Sequence, residues 1–151
     1  MTCACGVDVH AHVIPHDFPA YLRGAAPAGW PSMAPAHECH RHVMIDGKNY
    51  RTVSDKCWSV SKRLSDFEPM GLQVQAISPM PELLSYWLAP QDGFELVRYL
   101  NEQIALMVSE SGGALLGLSA VPLQDMDLTL KELEYVKHKL GFSGVEIGSN
   151  I

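Results

Sequence analysis

Val7-Asp8-Val9-His10-Ala11-His12-Val13-Ile14-Pro15 is the stretch on which the reading of this 151-residue chain turns. In an extended chain, residues two apart share a face. The spacing predicts a short buried strand with Val7 and Val9 on one face and Asp8, His10 and His12 on the other. Pro15 closes it, because a proline has no N–H to give to a sheet. Two imidazoles on one face of a strand end are placed to share a metal ion, since imidazole nitrogen is a common ligand for zinc and other divalent first-row metals. A lone His-x-His pair is equally what two satisfied polar side chains at a strand end look like. A mononuclear site takes about three or four protein ligands, so any others come from elsewhere in the fold.

The rest of the composition narrows the class. With 47% hydrophobic and 19% charged residues the chain reads as one soluble globular domain with a real core. A net charge of −6 argues against a nucleic-acid partner, which wants Lys and Arg gathered on one face. No apolar run reaches membrane-spanning length and no signal-peptide pattern opens the chain, so the expectation is a cytoplasmic protein without a membrane partner. Cys3, Cys5, Cys39 and Cys57 include no C-x-x-C pair and do not form a disulfide scaffold. Cys3-x-Cys5 reads as free thiols at a frayed terminus.

Beyond Pro15, Pro19, Pro27, Pro31 and Pro35 exclude a long helix over 16–36. The run 37–53 reads as a β-hairpin insertion turning at Asp46-Gly47. Strand alternation puts His37 and Cys39 on one face and His40 and His42 on the other, which suits a solvated strand better than a second metal site. Arg51 shares parity with Val53 and turns inward if Val53 does, with neither Asp46 nor Glu38 placed to be its counter-ion. Val60, Leu64 and Phe67 mark a helix face ended by Pro69 and Gly71. A strand over 72–79 and a loop over 80–89 follow. Asp92 and Glu95 resemble a capping box opening a helix with Phe94, Val97, Leu100, Ile104 and Met107, stopped by Gly112-Gly113. A strand over 115–121 leads to a helix capped by Asp127, with Leu130, Leu133, Val136 and Leu140 on one side. A last strand covers 144–147.

Strands alternating with helices imply a parallel sheet. One parity is apolar (Val7/Val9, Val74/Ala76, Leu116/Leu118, Val145/Ile147) and suits the helix side. The other is more polar (Asp8/His10/His12, Gln73/Gln75, Ser119, Glu146/Asn150). A flat doubly wound sheet needs both faces apolar, so the pattern favours a barrel. A whole (β/α)8 barrel takes about 250 residues. The fold class expected is therefore α/β, a single domain over 1–151 forming the first half of a (β/α)8 barrel of about four strands, and the chain reads as part of a longer protein.

Five stretches carry a resemblance. They are Val7 to Pro15; Gly47 to Val53 with Cys57-Trp58; Ser78-Pro79-Met80-Pro81 through Ser85-Tyr86-Trp87; Val121-Pro122-Leu123-Gln124-Asp125; and Gly141 to Gly148. Together they resemble the amidohydrolase superfamily, in the branch containing aminocarboxymuconate-semialdehyde decarboxylase. The resemblance implies one divalent metal, usually Zn2+ with Mn2+ possible, at the carboxyl ends of the barrel strands. His10 and His12 match its two strand-one ligands, and Arg51 matches the arginine that holds a substrate carboxylate. The remaining ligands and the catalytic histidine are expected beyond Ile151, so the chain alone is expected to be inactive. The implied reaction is non-oxidative decarboxylation of an unsaturated or aromatic small-molecule carboxylic acid such as aminocarboxymuconate semialdehyde, by a protein that is a homodimer when full length. Relatives that are hydrolases or hydratases, and a non-catalytic α/β binding module, are the alternatives. Asp8 is a candidate to orient an imidazole from behind. Glu146, where close relatives often carry an amide, faces inward by parity and reads as a buried structural carboxylate with a hydrogen-bond partner rather than a ligand.

Overall fold

A computed structural model describes residues 6–149. Strand β1 (Gly6–Val13) is followed by β2 (Pro31–Pro35), β3 (His40–Ile45) and β4 (Lys48–Ser54). Then come α1 (Val60–Leu64), α2 (Phe67–Met70), β5 (Leu72–Pro79), α3 (Pro90–Glu110), β6 (Leu115–Ser119), α4 (Met126–Tyr135) and β7 (Gly144–Val145). The strands form a four-stranded sheet in the order β1-β5-β6-β7 and a three-stranded sheet in the order β2-β3-β4. The first is parallel throughout, part of a (β/α)8-type barrel wall, and the second is antiparallel.

Which parity meets the helices differs from the sequence expectation. In a parallel ladder, paired residues lie on one face. Gln75 pairs with Leu115 and Ile77 with Gly117. Ile77 and Leu115 pack under Phe67, Ile104, Val136 and Phe142. The helix side is therefore Gln75/Ile77 and Leu115/Gly117, not Val74/Ala76 and Leu116/Leu118, and Leu116 is left 54% exposed. Leu115-Leu116-Gly117-Leu118 is apolar at both parities, so alternation alone carried no information there. Packing settles it: a Cβ on Gly117 would sit 2.5 Å from the Phe142 ring.

A second correction concerns β1. Asp8 pairs with Gln75 but Ala11 with Ile77, so β1 carries one extra residue between them. Such a bulge reverses the parity of everything after it. Asp8 consequently lies with Gln75 on the helix side, while His12 pairs with Ser78 on the opposite, inner side. Val7 and Val9, expected under helices, are exposed.

The insertion holds three strands rather than two. Asp46 and Gly47 take the positive φ values (52° and 71°) that a tight hairpin turn needs. The third strand, β2, comes from the stretch read as irregular. It lies at the sheet edge with a proline at each end, where a missing N–H does no harm. Val43 and Val53 pack on Ile14 after β1 and on Met80 and Leu83 after β5, so this sheet sits over the carboxyl ends of the parallel strands.

Other boundaries shift for local reasons. The helix expected from Val60 to Phe67 is two short ones, with the Ser65 hydroxyl bonding to the Lys62 carbonyl at the break. Helix α3 starts at Pro90, and Asp92 and Glu95 are not its cap: both pair with Arg23 from the loop after β1. Asp125, not Asp127, caps α4, its Oδ1 accepting the Leu128 N–H at 2.9 Å. The buried face of α4 and the π-helical turn after it is Thr129, Glu132 and Val136, and Leu130 is exposed. The last strand ends at Val145, short of Ile147. Cys39 and Cys57 are free, and the expectations for Cys3, Cys5 and Asn150 lie outside the described residues. No described helix is long and apolar enough to cross a membrane.

Glu132, fully buried, joins α4 to α3. It accepts from Arg98 Nε and Asn101 Nδ2, both at 2.8 Å, and Asn101 in turn holds the Ala120 main chain after β6. Removing one partner of a buried pair leaves the other charge uncompensated. Glu132→Ala is expected to cost about 3–5 kcal/mol in urea unfolding, and Glu132→Gln less, because the amide oxygen still accepts.

Candidate functional site

The bulge in β1 sets His10 and His12 on the inner face, where strand alternation brings their rings to the same spot. Their Nε2 atoms are 3.1 Å apart, with ring centroids 4.7 Å apart and planes at 84°. His12 Nδ1 lies 3.0 Å from the Pro79 carbonyl oxygen and 3.2 Å from Ser78 Oγ. A carbonyl can only accept, so Nδ1 carries the proton and Nε2 offers its lone pair.

The main chain of both histidines is held from the helix side. Asp8 Oδ1 accepts the His10 N–H at 3.0 Å, and its Oδ2 accepts from Gln75 Nε2 at 2.8 Å. Arg63 of α1 donates to Gln75 Oε1 at 2.6 Å and to the His12 carbonyl at 3.0 Å. The His10 N–H, then the Gln75 amide, hold the Asp8 carboxyl below its usual range. Asp8 therefore positions His10 through its backbone and touches no imidazole, which corrects the role expected of it.

Glu146 does face the inner side. Its Oε2 lies 3.7 Å from His12 Nδ1, too far for a hydrogen bond, and that oxygen is buried without a partner. It approaches the back of the imidazole, away from Nε2. The partner expected for it is absent among the described residues.

Arg51 has a counter-ion that the sequence reading passed over. Its Nη2 lies 3.4 Å from Glu82 Oε1, and the Tyr50 hydroxyl donates to the same oxygen at 2.7 Å. The Arg51 side chain is 54% exposed although Val53 is buried. Burial pushes the Glu82 carboxyl up, but the Tyr50 hydrogen bond and the charges of Arg51 and His12 outweigh it, and the net shift is downward. Glu82 thus sits within electrostatic reach of both His12 and Arg51.

Two imidazole nitrogens suit a divalent ion, but they are half a donor set. Among the described residues no third His, Cys, Asp or Glu joins them in a group able to hold a metal. The hairpin histidines form none either: His37 stacks on His40, Cys39 Sγ lies 3.2 Å from His40 Nδ1, and His42 Nδ1 bonds to Thr52 at 2.8 Å.

The sequence matches no protein-family model. It is 33% identical over 145 residues to 2-amino-3-carboxymuconate-6-semialdehyde decarboxylase of Dictyostelium discoideum, covering 96% of this chain and 40% of that protein. The Caenorhabditis elegans protein of the same name is 26% identical over 164 residues, with 41% of it covered. The chain thus spans about two fifths of the length of these curated relatives. Among solved structures, a dihydroxybenzoic acid decarboxylase from Polaromonas sp. JS666, holding manganese and the inhibitor 2-nitroresorcinol, superposes with a TM-score of 0.53 at 25% identity, over 56% of this chain and 25% of that one. Metarhizium anisopliae IDCase shares the fold at 13% identity, with a TM-score of 0.63 over 91% of this chain and 41% of its own. Sequence over nearly the whole chain and the parallel α/β architecture agree in their likeness: the chain is similar to aminocarboxymuconate-semialdehyde decarboxylases and, in its fold, to solved decarboxylases.

Proposed function

We propose that this chain contributes the first-strand metal half-site and the substrate-anchoring insertion of a metal-dependent decarboxylase acting on an unsaturated or aromatic carboxylic acid. The observation that carries the reading is the convergence of His10 and His12 Nε2 at 3.1 Å, with His12 oriented from behind by Pro79. His10 and His12 would hold one divalent ion. Imidazole donors favour Zn2+, and Mn2+ is the ion named for one related structure. When bound, such an ion supplies Lewis acidity, drawing electron density from a substrate or water oxygen. A single domain over 1–151, a cytoplasmic location and a homodimeric full-length protein belong to the same proposal.

The chain's own residues supply binding and orientation. A guanidinium fork matches a carboxylate with two parallel hydrogen bonds. Arg51 spends one Nη on Glu82 and makes no other protein hydrogen bond among the described residues, so the rest of its fork is available to a substrate carboxylate. Tyr50 fixes Glu82, and Glu82 steadies Arg51. The insertion packs Val43 and Val53 onto the loops behind this mouth and keeps water from that side.

Three outcomes are expected. In the full-length protein, His10→Ala or His12→Ala loses bound metal by elemental analysis, together with CO2 release; full metal content and activity in both variants would refute the half-site. Arg51→Ala lowers kcat/KM by about 30- to 1000-fold, roughly 2–4 kcal/mol, with metal content unchanged, and Arg51→Lys recovers only part because an ammonium is a point charge. Wild-type efficiency in both Arg51 variants would make it a surface residue. The third concerns pH. A carboxyl depressed in the folded state stabilises above its unfolded pKa, and that contribution is lost as pH falls through the folded value. Tyr50→Phe should move the Glu82 carboxyl upward in an NMR titration, so that the acid-side loss begins at higher pH.

A further inference from the structure

We propose that Glu82 makes the Arg51 anchor selective by charge: the anchor accepts an acid with one carboxylate at the guanidinium and rejects one with a second carboxylate on the neighbouring carbon. The selectivity rests on the anchoring role proposed for Arg51 above.

The pair is built to stay together. Glu82 lies in the single helical turn Pro81–Leu83 that follows β5. The Met80 N–H before it donates to the Val13 carbonyl at 3.1 Å, and the Leu83 N–H donates to the Met80 carbonyl at 2.8 Å. Met80 and Leu83 are both buried. The backbone at Glu82 is thereby fixed to the end of β1, beside the histidine pair. Its Oε1 accepts the Tyr50 hydroxyl at 2.7 Å and Arg51 Nη2 at 3.4 Å. The Arg51 guanidinium carbon lies 5.9 Å from the centre of the Tyr50 ring. Tyr50 thus touches both members of the pair and keeps Glu82 in place when Arg51 turns to another anion.

Glu82 also keeps its negative charge. Burial pushes its carboxyl up, but the Tyr50 hydrogen bond and the charge of Arg51 outweigh it. Arg51 brings one positive charge and Glu82 one negative, so the pair as a whole is neutral. The open part of the fork still offers directed hydrogen bonds, and these hold one carboxylate. A second carboxylate gains nothing from a neutral pair and meets the like charge of Glu82. The Glu82 side chain is only 25% exposed, and Coulomb interactions near a protein surface run several-fold stronger than in bulk water. Without that charge, the unopposed guanidinium attracts both carboxylates. The second acid is rejected by an unpaired like charge, not by shape.

The test uses the full-length, metal-loaded protein and two probes, benzoate and phthalate, titrated calorimetrically. The wild type is expected to bind benzoate more tightly than phthalate. Glu82→Gln is expected to shift the ratio of the two dissociation constants at least about tenfold towards phthalate. Glu82→Met, which leaves no polar atom in the place of the buried, unpartnered Oε2, carries the same test should Glu82→Gln not fold. Glu82→Asp keeps the charge and is expected to stay within about threefold of the wild-type ratio. A site that is merely loosened would weaken both probes together and leave the ratio alone. Arg51→Ala is expected to lose both probes. A wild type that prefers phthalate, a ratio unmoved in both neutral variants, or a Glu82→Asp protein that behaves like Glu82→Gln overturns the selectivity and leaves the anchor standing. Benzoate bound as tightly by Arg51→Ala as by the wild type overturns the anchor, and the selectivity with it.

Discussion

One extra residue in β1 sets the rest of the site. From Asp8 to Ala11 the strand takes three steps while β5 takes two, from Gln75 to Ile77. A bulge leaves a main-chain group out of the ladder, to be taken up by water or a nearby side chain. Asp8 answers this locally: its Oδ1 takes the His10 N–H. With that bond made, Ala11 and Val13 fall under the helices, and His10 and His12 fall on the opposite face. Without the extra residue, Asp8 and the two histidines would share one parity. Either Asp8 would leave Gln75, or His12 would turn into the apolar layer beside Ile77.

Arg63 makes this arrangement rigid. It reaches from α1 between the sheet and the helices, to Gln75 and to the His12 carbonyl. Burial pushes its guanidinium down from its usual value, while the charges of Cys57 and Asp8 push it back up. A buried cation is tolerable when its donors find acceptors. Here those acceptors belong to the residues that set the histidines in place. The helix layer is thereby coupled to the paired imidazoles of His10 and His12, although no helix contributes a side chain to the pair.

Much of the fold was legible in the sequence, and what was not has common causes. Strand and helix order followed from periodicity, and Asp46-Gly47 and Gly141 marked turns that the structure places at positive φ. The His-x-His spacing brought two rings together as alternation predicts, although Asp8 left the set. Bulges, however, are decided by pairing with another strand, which a single stretch cannot show. The face of β6 depended on where Phe142 packs, after α4 in the chain. Strand β2 was masked by its prolines, which are harmless at an edge. Glu82 carried one usable signal: an arginine turned toward the fold needs an anion, and an acid in the loop after a parallel strand lies at the same end of the sheet. That acid lies outside the hairpin, in the loop after β5.

Glu82 gives Arg51 a protein counter-ion. If an inward arginine had no protein anion, its need alone would point to a substrate. Glu82 removes that inference, because it already neutralises the charge. What remains is a matter of geometry. The contact is long, at 3.4 Å, and uses one nitrogen, whereas the Tyr50 hydroxyl makes the shorter bond to the same oxygen. Glu82 is thus anchored chiefly by Tyr50 and leans on Arg51 only lightly. In the proposed role an incoming carboxylate takes the guanidinium fork while Tyr50 keeps Glu82 Oε1 partnered; Glu82 Oε2 is buried without a partner in either case. A loosely held arginine beside a glutamate held by Tyr50 is a poor structural clamp, and its free nitrogens are the ones the proposed anchoring of a carboxylate uses.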